Sequence, residues 1–394
     1  MRVLYVSYDG ALDPLGRSQV VPYLEGLAAL GFRHDLVTFE KPGRMVGVED
    51  RAAMRSRLER SGITWHPLPY TKRPPVLSTA RDLFLGIRHS RDLMRRDSFD
   101  LIHARSYPAA LIAREVGRAA GVPYIFDIRG LYPEERVDGG LWRAGGPLYR
   151  IAKRVEGALY RDAAAVVTLT EASLPWIRGI LGRVGGLAPV RVIPTCVDLD
   201  LFSPTPTPEG PFRLAYFGSL GTWYLLDEML RFGASVLDAA GGGRLRFVVN
   251  SDPELILTRA SALGIPIEQV EVASVRHEEV PAALAGVHAT FFFIRRGASA
   301  VGFHQTKLGE SLALGIPVAS IRGVGDTAAI LEGERVGVVV EEYEPGAMAE
   351  AARALVALAR EAGVRERCRG VAEARYALTE GARRYAELYR EVAG

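Results

Sequence analysis

Short apolar runs alternate with amphipathic stretches along the whole chain. Arg2–Ser7 and Ala289–Ile294 are mostly apolar, which is typical of strands buried on both faces of a parallel sheet. Between such runs, apolar residues recur every three or four positions, as in the segment that follows Ser18 and ends at Gly31. This repeated alternation of strand and helix predicts an α/β fold with two Rossmann-like domains.

The length of the chain and one proline-rich stretch predict where the domains divide. A chain of 394 residues is too long for a single ordinary core. The strand pattern restarts at Phe212, after Pro204, Pro206 and Pro208, and such a stretch forms a semi-rigid linker. We therefore predict a first domain at residues 1–196, a linker at 197–211, a second domain at 212–375 and a C-terminal helix at 376–394.

A helix N-terminus is predicted soon after Ala289–Ile294. The following residues predict a loop, a helix capped by Thr306 that runs through Leu314, and a further strand that starts at Val318. A loop that leads into a helix N-terminus aims free backbone N–H groups and the positive end of the helix dipole at one point, which favours an anion. The residues expected to present this anion site are His304, Gln305, Thr306, Lys307 and Leu308.

Two side chains in this stretch suit the two ends of a nucleotide. Lys307, one of only four lysines in the chain, adds a mobile cation to the predicted anion site. Glu310 lies one turn deeper, and a carboxylate there can accept two hydrogen bonds from vicinal ribose hydroxyls. The alternative interpretation is an ordinary buried helix with a surface lysine.

The same stretch resembles the GT-B glycosyltransferases of family 4, and so do Val190–Asp198, which are similar to that family's interdomain strand. The resemblance implies two Rossmann-like domains that face each other across a cleft, with a C-terminal helix that crosses back to the first domain. It implies transfer of a sugar from a nucleoside diphosphate sugar to a glycan, lipid-linked or small-molecule acceptor. It also implies retention at the anomeric carbon, no metal and no cofactor. Lys307 would stabilise the leaving diphosphate, Glu310 would bind the ribose, and a base-binding loop would lie near 274–277.

Two departures from the family pattern concern the donor site. The family's first glutamate, eight residues before Glu310, falls on Gly302. The arginine and lysine that hold the diphosphate in many members fall on Ser219 and Tyr224, after the expected Gly218. We therefore expect the amides near Lys307 to bind more of the diphosphate than in the family.

The resemblance also marks residues in the first half of the chain. Gly16 and Arg17 match a loop that lies beneath the donor phosphates. His103, Arg105 and Asp127 lie at strand ends where the family binds its acceptor, and they are candidate catalytic residues. The alternative for Gly16 and Arg17 is a solvated turn. The alternative for His103 is a hydrogen-bonded imidazole, and the alternative for Asp127 is a structural ion pair.

Composition excludes several other classes of function. A net charge of +3 is too small to indicate nucleic-acid binding. Cys196 and Cys368 show no metal-ligand spacing, and the Asp198-Leu199-Asp200 triplet fits a turn-capping pair better than a metal site. We therefore predict no metal site.

Localisation rests on two further observations. No run approaches the length of a membrane span, and Arg2 leads straight into a strand, so the chain is expected to be cytoplasmic. Arg81–Arg96 is basic and amphipathic. It predicts either peripheral contact with anionic lipid at the inner face of the membrane or a core-facing helix with an arginine surface.

Two other functions remain open at this point. A sugar-nucleotide 2-epimerase shares the two-domain fold but needs several acid and base groups around the sugar. A non-catalytic nucleotide-sugar binder would fit the lost glutamate and the lost cationic pair. The sequence identifies neither the base, the sugar nor the acceptor.

Overall fold

The computed structural model describes residues 1–41, 48–71, 73–74, 77–221 and 223–394, without the side chains of residues 48 and 49. The chain forms two compact units. We call Met1–Pro194 with Leu378–Gly394 the N-terminal unit, and Thr195–Ala377 the C-terminal unit.

The N-terminal unit is built on a parallel sheet of seven strands in the order β3-β2-β1-β4-β5-β6-β7. The strands are β1 (Arg2–Ser7), β2 (Arg33–Glu40), β3 (Ile63–Pro69), β4 (Leu101–Arg105), β5 (Tyr124–Asp127), β6 (Ala165–Thr168) and β7 (Val190–Val192). The helices between them are α1 (Pro14–Gln19), α2 (Val21–Ala29), α3 (Val48–Arg60), α4 (Leu77–Arg96), α5 (Tyr107–Ala120), α6 (Tyr132–Asp138), α7 (Pro147–Asp162) and α8 (Leu174–Val184). The central strands are buried at almost every position, as their apolar runs predict.

The C-terminal unit contains a parallel sheet of six strands in the order β10-β9-β8-β11-β12-β13. The strands are β8 (Phe212–Phe217), β9 (Gly243–Val248), β10 (Val270–Ala273), β11 (Ala289–Phe292), β12 (Val318–Ile321) and β13 (Gly337–Val340). Its helices are α9 (Leu226–Ala240), α10 (Pro253–Ala262), α11 (Val280–Ala283), α12 (Thr306–Ala313), α13 (Thr327–Gly333), α14 (Pro345–Ala359) and α15 (Val364–Tyr376). The last helix of the chain, α16 (Leu378–Ala393), belongs to the N-terminal unit.

The predicted α/β class with two Rossmann-like domains is confirmed, since each unit is a parallel sheet whose strands are joined by helices. In the described part of the chain, no helix combines the length and the apolar character needed to cross a membrane.

The start of the predicted linker packs as part of the C-terminal unit. Val197 and Phe202 lie in the core of that unit at 3% and 1% exposure. Arg369 on α15 donates to the carbonyl oxygens of Phe202 and Ala313 at 2.8 and 3.1 Å. Burial of apolar side chains and these hydrogen bonds therefore fasten the segment from 197 to 202 beside α12, so it is not a free connection.

Helix α4 packs on the rest of the unit through a narrow set of buried positions. Its buried positions are mostly small or polar: Ser78, Asp82, Gly86, Ser90 and Leu93. A methyl group at Gly86 would lie 2.5 Å from Cδ1 of Ile112, so the absence of a side chain lets α4 approach α5 closely. Phe84, at 65% exposure, lies outside this contact.

Candidate functional site

The C-terminal end of β8 and the N-terminus of α12 come together in the C-terminal unit. Lys307 lies in the first turn of α12, and its side chain passes over Gly218, which follows β8. A methyl group at Gly218 would lie 2.7 Å from Cε and 2.8 Å from Nζ of Lys307. The Nζ atom donates a hydrogen bond of 2.7 Å to the hydroxyl of Tyr224. The structure thus brings Gly218 and Lys307 together at the carboxyl edge of the sheet, where α/β proteins bind ligands.

Helix α12 begins at a different cap from the one predicted. Gln305 occupies the N-cap position with an extended backbone, and Thr306 is the first helical residue, so the assignment of Thr306 as the cap was wrong. The turn closes at Gln305, because its carbonyl accepts from the amide of Leu308 at 3.0 Å. Gln305 is 8% exposed, and its Oε1 atom has no hydrogen-bond partner among the residues that the structure describes. The amides of Thr306 and Lys307 still point out of the helix, since an α-helix leaves its first N–H groups without intrahelical acceptors.

Three other residues that were predicted to bind the sugar donor lie around this turn in different environments. The side chain of Leu308 is in the core at 1% exposure, so it anchors the helix. Ser219 is exposed, and its carbonyl accepts from the hydroxyl of Tyr216. The ring of His304 packs against Tyr376, with centroids 5.1 Å apart.

Glu310 is buried and already has a partner within the unit. Its Oε1 atom lies 2.8 Å from Nε2 of His277, a residue just before α11. Glu310 is 5% exposed, whereas the His277 side chain is 39% exposed. A ribose would therefore have to share this carboxylate with His277. From the sequence, the region of His277 was predicted to bind the base. Its pairing with Glu310 was not predicted.

The pair of His277 and Glu310 predicts a pH-dependent stability. The hydrogen bond to Glu310 raises the pKa of His277 above its ordinary 6.5, against the opposing effect of burial. A raised pKa in the folded state stabilises the protein fully below the unfolded pKa, and the stabilisation is lost as the pH rises through the folded pKa. We expect the wild-type protein to have a larger free energy of unfolding than His277→Gln. The difference should be largest below pH 6.5 and should become smaller as the pH rises. Denaturation curves of both proteins between about pH 6 and pH 9 measure this difference, and a gap that widens with pH would contradict it.

In the N-terminal unit, His103 and Asp127 lie beneath α16. Each is 1% exposed. Nδ1 of His103 is 2.7 Å from the hydroxyl of Tyr389, and the hydroxyl of Tyr385 donates to Oδ2 of Asp127 at 3.0 Å. His103 and Asp127 also approach one another, with 3.4 Å between Nε2 and Oδ2. These contacts tie the last helix to the ends of β4 and β5.

Electrostatics keep this buried cluster in one charge state. Burial lowers the pKa of His103, which keeps its imidazole neutral. Burial alone would raise the pKa of Asp127, but the Arg129 guanidinium and His103 bring that pKa below its usual value. Both residues were predicted to act on an acceptor. In the structure their hydrogen bonds to Tyr389 and Tyr385 hold α16 in place, and their role toward an acceptor stays a prediction.

Arg105 is also committed to a contact within the unit. It is 4% exposed, and one of its terminal nitrogens donates to Asp9 at 3.0 Å. Asp9 lies in the loop after β1, so Arg105 fixes that loop to the end of β4.

Gly16 and Arg17 lie inside α1, not in the loop before it. Helix α1 starts at Pro14, because proline suits the first helical position. A methyl group at Gly16 would come within 1.9 Å of the Gly10 carbonyl oxygen, so this glycine allows close packing of α1 on the loop. Arg17 donates to the carbonyl of Leu12 at 3.1 Å, and its exposed end lies 3.5 Å from Asp50.

The loop before α1 already holds an anion from the chain itself. The Glu40 carboxylate at the end of β2 accepts from the amides of Ala11 and Leu12 at 2.7 and 3.2 Å and is 6% exposed. In this conformation those two amides are not available to donor phosphates, which the family resemblance had led us to expect there.

No group of three or more His, Cys, Asp or Glu side chains is placed to hold a metal ion in the ranges described above. Asp198 acts as a turn cap, since its Oδ1 atom accepts from the amides of Asp200 and Leu201 at 3.0 and 3.2 Å.

The chain is similar to known glycosyltransferases in sequence and in fold. Residues 17–196 match the family model described as "Glycosyl transferase 4-like domain". Sucrose-phosphate synthase from Thermosynechococcus elongatus aligns with a TM-score of 0.74 and 16% identity over 100% of this chain and 99% of that chain. A glycosyltransferase from Rickettsia africae ESF-5 aligns with a TM-score of 0.69 and 14% identity over 99% and 98% of the two chains. Anabaena Alr3699/HepE, in complex with UDP-glucose, aligns with a TM-score of 0.68 and 15% identity over 99% and 100%.

No curated protein matches the chain in sequence. The identities to the solved structures are low, so those structures establish the fold, while the domain match covers most of the N-terminal unit. Together, these findings show that the chain has the fold of the GT-B glycosyltransferases and that its residues 17–196 are similar to a glycosyl transferase 4-like domain.

Proposed function

We propose that this glycosyltransferase binds a nucleoside diphosphate sugar in its C-terminal unit and transfers the sugar to a glycan, lipid-linked or small-molecule acceptor. The observation that carries the proposal is the placement of Lys307 over Gly218 at the N-terminus of α12, with Glu310 one turn deeper in the same helix. A cation and free helix amides suit a diphosphate, and a carboxylate about one turn away suits ribose hydroxyls. HepE binds UDP-glucose in its solved complex, so uridine nucleotides are the first donors to test.

The chemistry assigned to these residues is electrostatic. As the bond between the sugar and the diphosphate breaks, negative charge develops on the leaving diphosphate oxygens. The Lys307 ammonium and the first-turn amides of α12 would stabilise that charge, and fixed groups of this kind need no reorganisation during the reaction. The buried Gln305 side chain, at the N-cap of the same helix, offers a further polar contact beside the diphosphate.

Retention of anomeric configuration and independence from metal ions are part of the proposal and rest on the family resemblance. The product of a productive donor and acceptor pair shows the configuration by nuclear magnetic resonance. Activity after exhaustive chelation tests the second claim, because an enzyme that needs a divalent ion for its diphosphate would lose its turnover.

A thermal-shift panel of nucleoside diphosphates and their sugars identifies the donor, because a ligand that binds only the folded state raises its apparent stability. The best ligand is then incubated with the protein, and the products are separated. Slow release of free sugar and nucleoside diphosphate supports a transferase. An altered sugar on an intact nucleotide would instead indicate an epimerase, and binding without any reaction under acceptor screening would indicate a non-catalytic binder.

A membrane surface on the N-terminal unit is the second part of the proposal. Helix α4 exposes Phe84 beside Arg88 and Arg91, and these residues line one shallow groove. An aromatic ring flanked by arginines suits an anionic lipid surface, where the ring enters the interface and the guanidinium groups contact phosphates. This contact would bring the enzyme to a lipid-linked acceptor.

Vesicle binding tests that surface. The wild-type protein should co-sediment with anionic vesicles at low salt and dissociate as salt is added, since screening weakens the attraction. Arg88→Glu combined with Arg91→Glu should abolish the binding. Arg353→Glu reverses an exposed charge on α14 of the other unit and should leave it unchanged. Retention of the double variant on vesicles would show that α4 is not the contact.

A further inference from the structure

A cluster of side chains around Lys307 fixes the position of its ammonium group. A lysine side chain has four rotatable bonds and is seldom held at one point by its own helix. Here Nζ lies 2.7 Å from the hydroxyl oxygen of Tyr224, 4.2 Å from the centre of that ring and 5.3 Å from the centre of the Tyr216 ring. Aromatic faces attract a cation, so both rings help to hold the ammonium group at this place.

Tyr224 is itself held by the sheet and not by α12. Its backbone forms an antiparallel bridge with Ile294, and the next amide, that of Leu225, donates to the carbonyl of Phe293 at 3.2 Å. Its ring meets that of Tyr216 edge to face, with centroids 5.5 Å apart. The hydroxyl is therefore anchored to the ends of β8 and β11, and it can fix a lysine that arrives from another element.

Gly218 belongs to the cluster because its lack of a side chain leaves space for the end of the Lys307 side chain. Its φ of +102° lies in the region that favours glycine, and a methyl group there would overlap Cε and Nζ of Lys307. A larger residue at this position would push the ammonium away from the end of β8.

We propose that Tyr224 is a positioning residue for Lys307, and that it holds the ammonium where the diphosphate of the donor binds. This inference rests on the proposed function and adds to it a residue that stands where many relatives have a lysine. The ammonium has three N–H donors, and Tyr224 accepts one of them, so two remain for phosphate oxygens.

A double-mutant cycle on ligand binding tests the coupling between the two residues. Wild-type, Tyr224→Phe, Lys307→Ala and the double variant are titrated with the nucleoside diphosphate selected by thermal shift and with the matching nucleoside. Tyr224→Phe keeps the ring and removes only the hydroxyl, and it should weaken diphosphate binding roughly tenfold, as expected for loss of a hydrogen bond to a charged group. Nucleoside binding should not change, and in the Lys307→Ala background the Tyr224 substitution should have almost no further effect.

Tyr343→Phe is the matched control. The Tyr343 hydroxyl donates to the carbonyl of Ile294 at 2.9 Å, close to the same sheet edge but not to Lys307, so its loss should leave both affinities unchanged. An equal effect of Tyr224→Phe with and without Lys307 would overturn the positioning role, and so would unchanged diphosphate affinity in Tyr224→Phe. Failure of the wild-type protein to bind any nucleoside diphosphate would instead refute the proposed function.

Discussion

Replacement of Lys307 with alanine is expected to lower turnover of the nucleoside diphosphate sugar by about 10²- to 10³-fold. This is the range seen when a preorganised hydrogen-bonding group that stabilises a developing negative charge is removed. The nucleoside should bind the variant as it binds the wild type, because Lys307 would act on the diphosphate end of the ligand. Its interaction strengthens as charge develops on the leaving oxygens, so the loss should appear more in kcat than in nucleoside affinity.

The control for this variant is Arg296→Ala, which removes a cation of the same unit that is paired with Glu342 at the surface. It should retain full turnover, since that arginine is committed to a surface ion pair. Full turnover in a folded Lys307→Ala protein would remove Lys307 from the mechanism.

Replacement of Glu310 with glutamine is expected to weaken nucleoside, nucleoside diphosphate and donor alike, by about 1–3 kcal/mol, the range for hydrogen bonds to a charged group. The ribose hydroxyls would contact this carboxylate equally before and during the reaction, so the affinity should fall while kcat at saturating donor stays close to that of the wild type.

His277→Gln separates this effect from the internal pair. Glu310 loses its histidine partner in that variant but keeps its charge. Nucleoside affinity should therefore fall further in Glu310→Gln than in His277→Gln. Equal nucleoside affinity in wild type and Glu310→Gln would rule out the ribose assignment.

The sequence predicted the fold because buried parallel strands carry a local signature. Runs such as Ala289–Ile294 are apolar on both faces and short, and the structure places Ala289–Phe292 in the six-stranded sheet. The helix after Gln305 was also predictable, although its cap was wrong by one residue. Both threonine and glutamine can precede a helix, and the choice depends on where the loop turns.

The environment of the first-half candidates could not be read from the sequence. His103 and Asp127 lie at strand ends, as expected, but they are covered by tyrosines more than 250 residues further along the chain. Nothing local indicates that contact. The occupation of the loop after β1 by Glu40 is similar, because only the sheet register brings the end of β2 to the amides of Ala11 and Leu12. The roles of the residues around Lys307 remain predictions.

We expect a nucleoside diphosphate to bind between the end of β8 and the N-terminus of α12. Isothermal titration of the wild type and of the combined Lys307→Ala and Glu310→Gln variant with the selected nucleoside diphosphate measures this binding. We predict one site per chain in the wild-type protein and loss of most of the binding free energy in the variant, with its melting transition retained. Equal affinity in the two folded proteins would contradict the claim.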